Sequence, residues 1–251
     1  MKTWLLLRGL TRESGHWGGF VAQLQAAQPD SRIVALDLPG NGSLYAQRSP
    51  SHISAMVAHS RAALQAQQIT GPVHILAMSL GAMVAASWAS SAPQEVAAQV
   101  LVNTSLRPFS PFYQRLRPRH YGLLLRLALG GASALDWERS ILRITSHGQH
   151  PDVLAQWLRL RQQHPVTRGN ALRQLLAAAR YQASASPPQT PTLLLASAQD
   201  GLVSVNCSRS LALQWGCTLQ EHPWAGHDLP LDDGAWVAHQ VRDWLQLIAQ
   251  K

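Results

Sequence analysis

Three residues of this chain have the types and the order needed for nucleophilic catalysis on a carbonyl group. Ser79 lies between Ala77 and Gly81, and Asp200 and His227 follow later in the chain. A serine hydroxyl is a weak nucleophile at neutral pH, so a histidine must take its proton and a carboxylate must orient that histidine. The order Ser, Asp, His is one of the known orders of such a triad, and these three residues are our predicted catalytic residues.

The stretch around Ser79 predicts a strand over 73–78 that turns sharply into a helix. A serine at the apex of such a turn is exposed, and its neighbours two positions away must be small. Ala77 and Gly81 satisfy this requirement, although the usual pattern has glycine at both positions. Leu80 would start the helix, so its backbone N–H is predicted to face an oxyanion formed beside Ser79. The alternative is a strand-to-helix turn that needs small residues only for packing.

A second oxyanion donor is predicted after the first strand, residues 3–7. The strand is followed by Arg8-Gly9-Leu10, and the backbone N–H of Leu10 is the candidate donor. Further on, Trp17 begins a segment with apolar residues at helical spacing up to Ala27. We expect Trp17 to belong to the core, with a place in the substrate pocket as the alternative.

The acid and the base also have simpler interpretations. Asp200-Gly201 alone is typical of a turn, and His227 is one of eleven histidines. Asp228 competes with Asp200 as the acid, but adjacent side chains point apart in an extended chain. The order of all three residues, each after a predicted strand, favours the triad.

Strand and helix patterns alternate along most of the chain, which predicts a parallel sheet with right-handed crossovers. The predicted strands are 3–7, 32–37, 73–78, 97–102, 192–196 and 218–222. Residues 107–187 lack a strand pattern and contain four predicted helices instead, at 121–129, 134–145, 152–163 and 170–182. The prediction is therefore an α/β protein with a mostly parallel central sheet of about six strands flanked by helices. Residues 1–106 and 188–251 form its core, and 107–187 form an inserted helical lid.

Composition limits the class of protein. With 251 residues and 46% hydrophobic content, the chain can form a sizeable core. Its apolar runs are too short to span a bilayer, and Arg8 interrupts the only segment that resembles a signal peptide, so we expect a cytoplasmic protein without membrane contact. Cys207 and Cys217 have no other metal-binding residue types at ligand spacing, so no metal is expected. Gly40-Asn41-Gly42 lacks the spacing of a nucleotide-binding motif, so no cofactor is expected.

The positive charge of the chain is concentrated in the predicted lid. Residues 107–187 contain twelve arginines and three acidic residues, a net charge of +9, whereas the whole chain carries +8. One interpretation is solvated helix faces, and another is a docking surface for an acidic partner that includes Arg139, Arg143 and Arg159. Nucleic acid is disfavoured because no binding motif accompanies the charge.

Several motifs together resemble the α/β-hydrolase superfamily over essentially the whole chain. The residues that carry the resemblance are Leu5 to Gly9, Asp37 to Gly42, Ala77 to Gly81, Asp200 to Val203 and Ala225 to His227. Within it, the chain is similar to bacterial carboxylesterases such as the pimeloyl-acyl-carrier-protein methyl ester esterase of biotin synthesis. The resemblance implies a Ser-Asp-His triad, no cofactor, and an acyl carrier protein that docks on basic lid residues. Arg8 departs from the family, which usually has histidine before this glycine, and Ala77 departs at the first glycine.

The sequence therefore predicts a serine hydrolase that cleaves a carboxylic ester through an acyl-enzyme. A methyl ester linked to an acyl carrier protein is the narrower hypothesis, and the protein is expected to be a monomer. The same triad could serve a thioesterase, a C–C hydrolase or an acyltransferase, and a non-catalytic binding protein is a further alternative.

Overall fold

A six-stranded parallel sheet forms the centre of the molecule. The computed structural model describes residues 2–129 and 131–250. The strands are β1 (Lys2–Leu7), β2 (Ser31–Leu36), β3 (Val73–Met78), β4 (Val96–Val102), β5 (Thr192–Ser197) and β6 (Thr218–His222). Their order is β2-β1-β3-β4-β5-β6, and each neighbouring pair is parallel. The predicted sheet is confirmed in strand number and direction.

Ten α-helices lie in the described part of the chain. They are α1 (Phe20–Ala27), α2 (Ile53–Ala66), α3 (Leu80–Ser91), α4 (Phe112–Arg115), α5 (Tyr121–Leu129), α6 (Ala134–Thr145), α7 (Val153–Gln163), α8 (Arg168–Arg180), α9 (Asn206–Trp215) and α10 (Leu229–Ala249). None of the helices in the described residues has both the length and the apolar character needed to cross a membrane.

Helices cover both faces of the sheet and bury it. One apolar cluster joins the sheet to α2, α3 and α9, and the other joins it to α1 and α10. Leu5, Leu6 and Leu7 of β1 are all fully buried, although successive side chains of a strand point to opposite faces. This explains the continuous apolar runs of the strands, which are typical of parallel sheets covered on both sides.

Helix α1 begins later than the sequence predicts, and α10, which the amphipathic pattern predicts over about 234–249, begins earlier. Residues Ser14–Trp17 form a short 3-10 helix, and α1 starts only at Phe20, because Gly18 takes a positive φ of 49° and ends the first turn. The last helix starts at Leu229 and has a kink at Asp233, where φ is −151°. The Asp233 carboxylate accepts a hydrogen bond from the Trp236 N–H at 3.0 Å, which caps the helical segment after the kink.

Helices α4 to α8 follow one another between β4 and β5. Residues 107–187, which contain them and are predicted to be a lid, are called the insertion below. The insertion leaves and rejoins the core at the same place, since Arg107 and Gln182 form an isolated parallel bridge. The Ala183 N–H also donates to the Arg107 carbonyl at 2.7 Å. The action of this segment as a lid, and the division of the chain into two units, stay predictions.

The first turn of α3 passes very close to the end of β1. A Cβ atom on Gly81 would lie 2.5 Å from the Leu7 carbonyl oxygen and 2.7 Å from that of Arg8. Both atoms belong to the backbone and cannot move without displacing the strand. Only glycine therefore fits at this point, which explains why the residue two positions after Ser79 is Gly81.

We predict that Gly81→Ala lowers the free energy of unfolding by about 1–3 kcal/mol, the usual cost of forcing an extra carbon into a packed interior. Urea unfolding followed by circular dichroism would measure it. Gly122→Ala in α5 is the matched control, because a Cβ there meets nothing within 4 Å. That variant should be neutral or stabilised by up to about 1 kcal/mol. Equal destabilisation of both variants would contradict the close contact at Gly81.

Candidate active site

Ser79 occupies the apex of a strained turn between β3 and α3. Its φ and ψ are 53° and −113°, a conformation that residues other than glycine rarely adopt. The turn is held by the Ser79 N–H, which donates to the Val102 carbonyl at 3.0 Å. Ala77 is fully buried in β3, paired with Leu7 of β1 and Leu101 of β4, so the extra methyl group is accommodated. Ser79 therefore lies at the apex of a strand-to-helix turn, and it is partly exposed.

Asp200 and His227 form a buried hydrogen-bonded pair. The Nδ1 atom of His227 lies 2.7 Å from Oδ2 of Asp200. The other carboxylate oxygen of Asp200 accepts from the N–H groups of Leu202 at 2.7 Å and Val203 at 2.9 Å. These bonds fix the carboxylate, so it can hold the proton of His227 on Nδ1 and leave Nε2 free to accept one.

One cavity of about 460 Å³ is lined by Ser79, His227, Leu10 and Leu80. The N–H of Leu80 belongs to the first turn of α3 and so has no acceptor within its own helix. For the N–H of Leu10, no hydrogen bond is found among the described residues. Ser79 and His227, both described, do not hydrogen-bond each other in this structure, and such bonds often tighten only when substrate binds.

The loop that carries Leu10 is fixed by a buried glutamine of α8. Gln174 is fully buried, and its Oε1 atom accepts from the N–H of Thr11 at 2.8 Å. Its amide nitrogen donates to Asn41 Oδ1 at 2.8 Å and to Ser49 Oγ at 3.0 Å. The insertion thus holds the residue next to Leu10, a role that the sequence did not reveal.

Arg8 forms a bidentate ion pair with Asp228. The two guanidinium nitrogens lie 3.0 and 2.5 Å from the two carboxylate oxygens, and both side chains are about 3% exposed. Asp228 is therefore bound to Arg8, whereas Asp200 is bound to His227. Because Arg8 precedes the Leu10 loop and Asp228 follows His227, the pair also joins the loops after β1 and β6.

Asn103 is a further residue that sequence reasoning missed. It follows β4 with a positive φ of 45° and is buried. Its amide nitrogen donates to the His227 carbonyl at 2.8 Å, and its oxygen accepts from the Ser197 N–H at 2.8 Å. In the sequence, the role of Asn103 was indicated only by the position of a polar residue directly after an apolar strand.

Asp232 connects the insertion to the loop before His227. Its carboxylate accepts from Ser146 Oγ at 2.5 Å, the His147 N–H at 3.0 Å and the Gly226 N–H at 2.7 Å. Burial alone would raise the pKa of Asp232, but these hydrogen bonds outweigh it and lower the pKa below its ordinary value. The end of α6 is therefore fixed next to the catalytic loops.

A second buried group of charges lies where α6 and α7 meet the loop after β1. Glu138 binds Arg12 at 2.6 Å and Arg161 at 3.3 Å, so two cations share one carboxylate. Next to them, His16 lies 2.8 Å from Arg12. Burial and then the charges of Arg12 and Arg8 hold the pKa of His16 well below its ordinary value.

Trp17 does not line the cavity that contains Ser79. It is buried, and the Arg8 guanidinium carbon lies 4.8 Å from the centre of its ring. Trp17 lines a second, smaller pocket of about 260 Å³ together with Phe20 and Gln23. The placement of Trp17 in the substrate pocket is therefore not supported, because Trp17 packs with α1 on the other side of Arg8, whereas its placement in the core agrees with the structure.

The predicted docking arginines lie apart from the cavity. Arg139 and Arg143 on α6 and Arg159 on α7 are exposed, and none of them lines the cavity. The arginines that do line it are Arg8, Arg12, Arg115 and Arg168. In the described residues, no group of three or more metal-binding side chains is found.

These features define an α/β protein with a serine on a strained strand-to-helix turn and an Asp-His pair after later strands. The class is settled by comparison, since residues 4–240 match the model of the alpha/beta hydrolase family. The chain belongs to this family.

Individual relatives differ in the activity that their names state. A protein from Klebsiella pneumoniae named "Putative carbamate hydrolase RutD" is 28% identical over 260 residues, which cover 96% of this chain and 90% of the relative. An esterase structure from Thermogutta terrifontis has a TM-score of 0.78 at 20% identity, covering 99% of this chain and 90% of that one. The enol-lactonase from Burkholderia xenovorans has a TM-score of 0.80 at 16% identity, covering 98% and 91%. These structural matches show the fold alone.

We predict that Arg8→Met lowers the free energy of unfolding by about 3–5 kcal/mol, because it leaves the Asp228 carboxylate buried and unpaired. The double variant Arg8→Met/Asp228→Leu should recover most of that loss in urea unfolding. Arg61→Met is the matched control, since its ion pair with Glu95 is partly exposed, at 44% and 30% of the two side chains, and it should cost less than about 1 kcal/mol. A double variant as unstable as Arg8→Met would argue against the pair as the source of the loss.

Proposed function

We propose that the chain is a serine hydrolase that cleaves a carboxylic ester through an acyl-enzyme on Ser79. The observation that carries this proposal is the placement of Ser79, at a strained apex, on the same cavity as His227. The hydrogen bond of His227 to Asp200 prepares the histidine to act as a base.

In the proposed reaction, Ser79 Oγ attacks the ester carbonyl while Nε2 of His227 takes the hydroxyl proton. The bond from the carbonyl carbon to the alcohol oxygen then breaks, and His227 gives its proton to the departing alcohol. Water then attacks the acyl-enzyme, again losing a proton to His227, and Ser79 leaves with that proton. Asp200 stabilises the imidazolium throughout without taking a proton itself.

The tetrahedral intermediate would be stabilised by the N–H groups of Leu10 and Leu80. Each such donor typically contributes about 2.7–4 kcal/mol to the transition state. In the described residues neither N–H group donates a hydrogen bond, so both can bind an oxyanion without first breaking another bond. The wall of the cavity is largely apolar, which favours an acyl chain beside the carbonyl. Its apolar members include Met83, Leu124, Ile141, Leu172 and Val203.

We predict that Ser79→Ala lowers the turnover of 4-nitrophenyl acyl esters by at least about 10⁴-fold, because the nucleophile is lost. Its unfolding transition should match that of the parent chain, and a fluorophosphonate probe should no longer label the protein. Ser91→Ala, an exposed serine of α3, is the matched control and should retain full turnover. Undiminished turnover in Ser79→Ala would refute the nucleophile. If the parent chain neither labelled nor cleaved any ester, a non-catalytic binding protein would be favoured.

A carbamate is a second candidate substrate because the Klebsiella relative is named for carbamate hydrolysis. Its carbonyl is less reactive than that of an ester, since the nitrogen donates electrons to it, but the same attack and proton transfers apply. Thioesters and C–C bonds activated by a neighbouring carbonyl could also be cleaved on this triad. Rates on matched ester, carbamate and thioester substrates would rank these possibilities.

The insertion also carries the charge for an acidic partner. Of its twelve arginines, only Arg161 forms an ion pair within the described residues. Arg139, Arg143 and Arg159 are exposed and lie on neighbouring helices. We propose that this surface receives an acidic acyl carrier protein, which would deliver a carrier-linked acyl ester such as a methyl ester. The resemblance to carrier-dependent carboxylesterases supports this proposal.

We predict that Arg139→Glu/Arg143→Glu raises KM for a carrier-linked ester about tenfold or more, because reversed charges weaken association with an acidic partner. Turnover of a free 4-nitrophenyl ester should stay within about twofold, since neither residue lines the cavity. Arg242→Glu on α10, also exposed, is the control for charge reversal elsewhere. An equal effect on carrier-linked and free esters would contradict docking at this surface.

A further inference from the structure

The wall of the catalytic cavity carries an unbalanced positive charge. Four arginines line the cavity, but among the described residues Asp228 is the only carboxylate that does so, and Arg8 already binds it. Arg12 shares Glu138 with Arg161, so this group also keeps an excess of one positive charge. Such a wall favours a substrate that brings negative charge of its own.

Arg115, at the end of α4, is the partly buried cation of this wall that lacks a counter-ion in the described residues, whereas Arg168 is exposed. One guanidinium nitrogen of Arg115 donates to the Ala178 carbonyl at 2.8 Å, while its Nε is buried without a partner among these residues. Burial and then the charge of Arg107 lower the pKa of Arg115, as expected for a cation without a counter-ion.

The position of Arg115 places it on the β4 side of the nucleophile. Ser105 follows β4, which is the neighbour of the strand that leads to Ser79, and Ser105 also lines the cavity. The Ser105 hydroxyl lies 3.5 Å from the Arg115 carbonyl oxygen. Arg8 and Arg12 lie on the other side of Ser79, after β1.

We propose that Arg115 binds a carboxylate of the substrate, so that the enzyme prefers esters that carry a second, negatively charged group. A guanidinium presents a planar set of donors that matches a carboxylate, and a partly buried site strengthens that bond. This proposal rests on the proposed ester hydrolase function and adds the substrate class to it. A carboxylate in the acyl part and one in the alcohol part of the ester are distinguished by two pairs of substrates.

A structural role of Arg115 must be separated from this one. Arg115 binds a carbonyl in the last turn of α8, where a cation also stabilises the helix dipole. Arg107 does the same, because its guanidinium donates to the Ala179 carbonyl at 3.1 Å, but Arg107 is exposed and does not line the cavity. Arg107→Gln is therefore the matched control for loss of a contact with the end of α8.

The experiment compares pairs of esters that differ only in a carboxylate or a methyl group. The acyl pair is mono-4-nitrophenyl adipate and 4-nitrophenyl hexanoate, and the alcohol pair is 4-acetoxybenzoate and 4-tolyl acetate. The parent enzyme should show a higher kcat/KM for the anionic member of one pair, and that pair identifies the side that carries the carboxylate. In Arg115→Gln this preference should fall about 10- to 100-fold, mainly through KM, as expected for loss of a charged hydrogen bond. Turnover of the neutral member should fall much less than that of the anionic member, and Arg115→Lys should retain part of the preference.

Three results would overturn the proposal. They are the absence of any preference in the parent enzyme, an equal loss on both members of a pair in Arg115→Gln, and the same loss of preference in Arg107→Gln. Fluorophosphonate labelling of Ser79 in every variant keeps the two proposals apart. Labelling together with turnover of neutral esters, but without an anionic preference, would leave the hydrolase function standing and reject the carboxylate site. Absence of both labelling and turnover in the parent enzyme would reject both.

Discussion

The close contact between the first turn of α3 and the end of β1 determines the geometry of the whole site. Gly81 leaves room for the carbonyl groups of Leu7 and Arg8 to approach the helix, and the same approach places Gly9 beside Ser79. Because the two backbones touch, the serine at the apex and the Leu10 loop after β1 have fixed positions relative to each other. The strained conformation of Ser79 persists because the buried strands on both sides allow no other path for the chain.

Asp200 and Asp228 have different hydrogen-bond and ion-pair partners, which give the two carboxylates different roles. Asp200 has backbone donors on one oxygen and His227 on the other, while Asp228 is neutralised by Arg8. Without Arg8, the buried carboxylate of Asp228 would be left without a counter-ion. Arg8, which departs from the family pattern before Gly9, is therefore paired with Asp228, the residue after His227. This ion pair joins two residues that are 220 positions apart in the chain.

The sheet, and the positions of Ser79, Asp200 and His227 after its strands, could be predicted from the sequence because both depend on local patterns. A strand buried on both faces is a continuous apolar run, and the residue after it lies at the carboxyl edge of the sheet. Contacts between distant residues leave no such pattern, so neither the Arg8–Asp228 pair nor the bond from Gln174 to Thr11 could be found. The start of α1 was missed for a different reason, since apolar spacing continued through Gly18 while its backbone left the helical region. The arginines of the insertion all look alike in sequence, and only the fold separates Arg115 in the cavity wall from Arg139 at the surface.

The groups proposed for catalysis and those proposed for substrate selection therefore belong to different parts of the chain. The groups that would carry out bond cleavage come from the turns after the strands, where backbone contacts hold them in place. The groups that would select a substrate come from the insertion, whose helices supply most of the apolar wall and two of the four cavity arginines. Glu138 and Asp232 connect the two parts, since each binds residues of both. Because these links are made through buried carboxylates, the selecting wall can keep an excess of positive charge without loosening its hold on the catalytic loops.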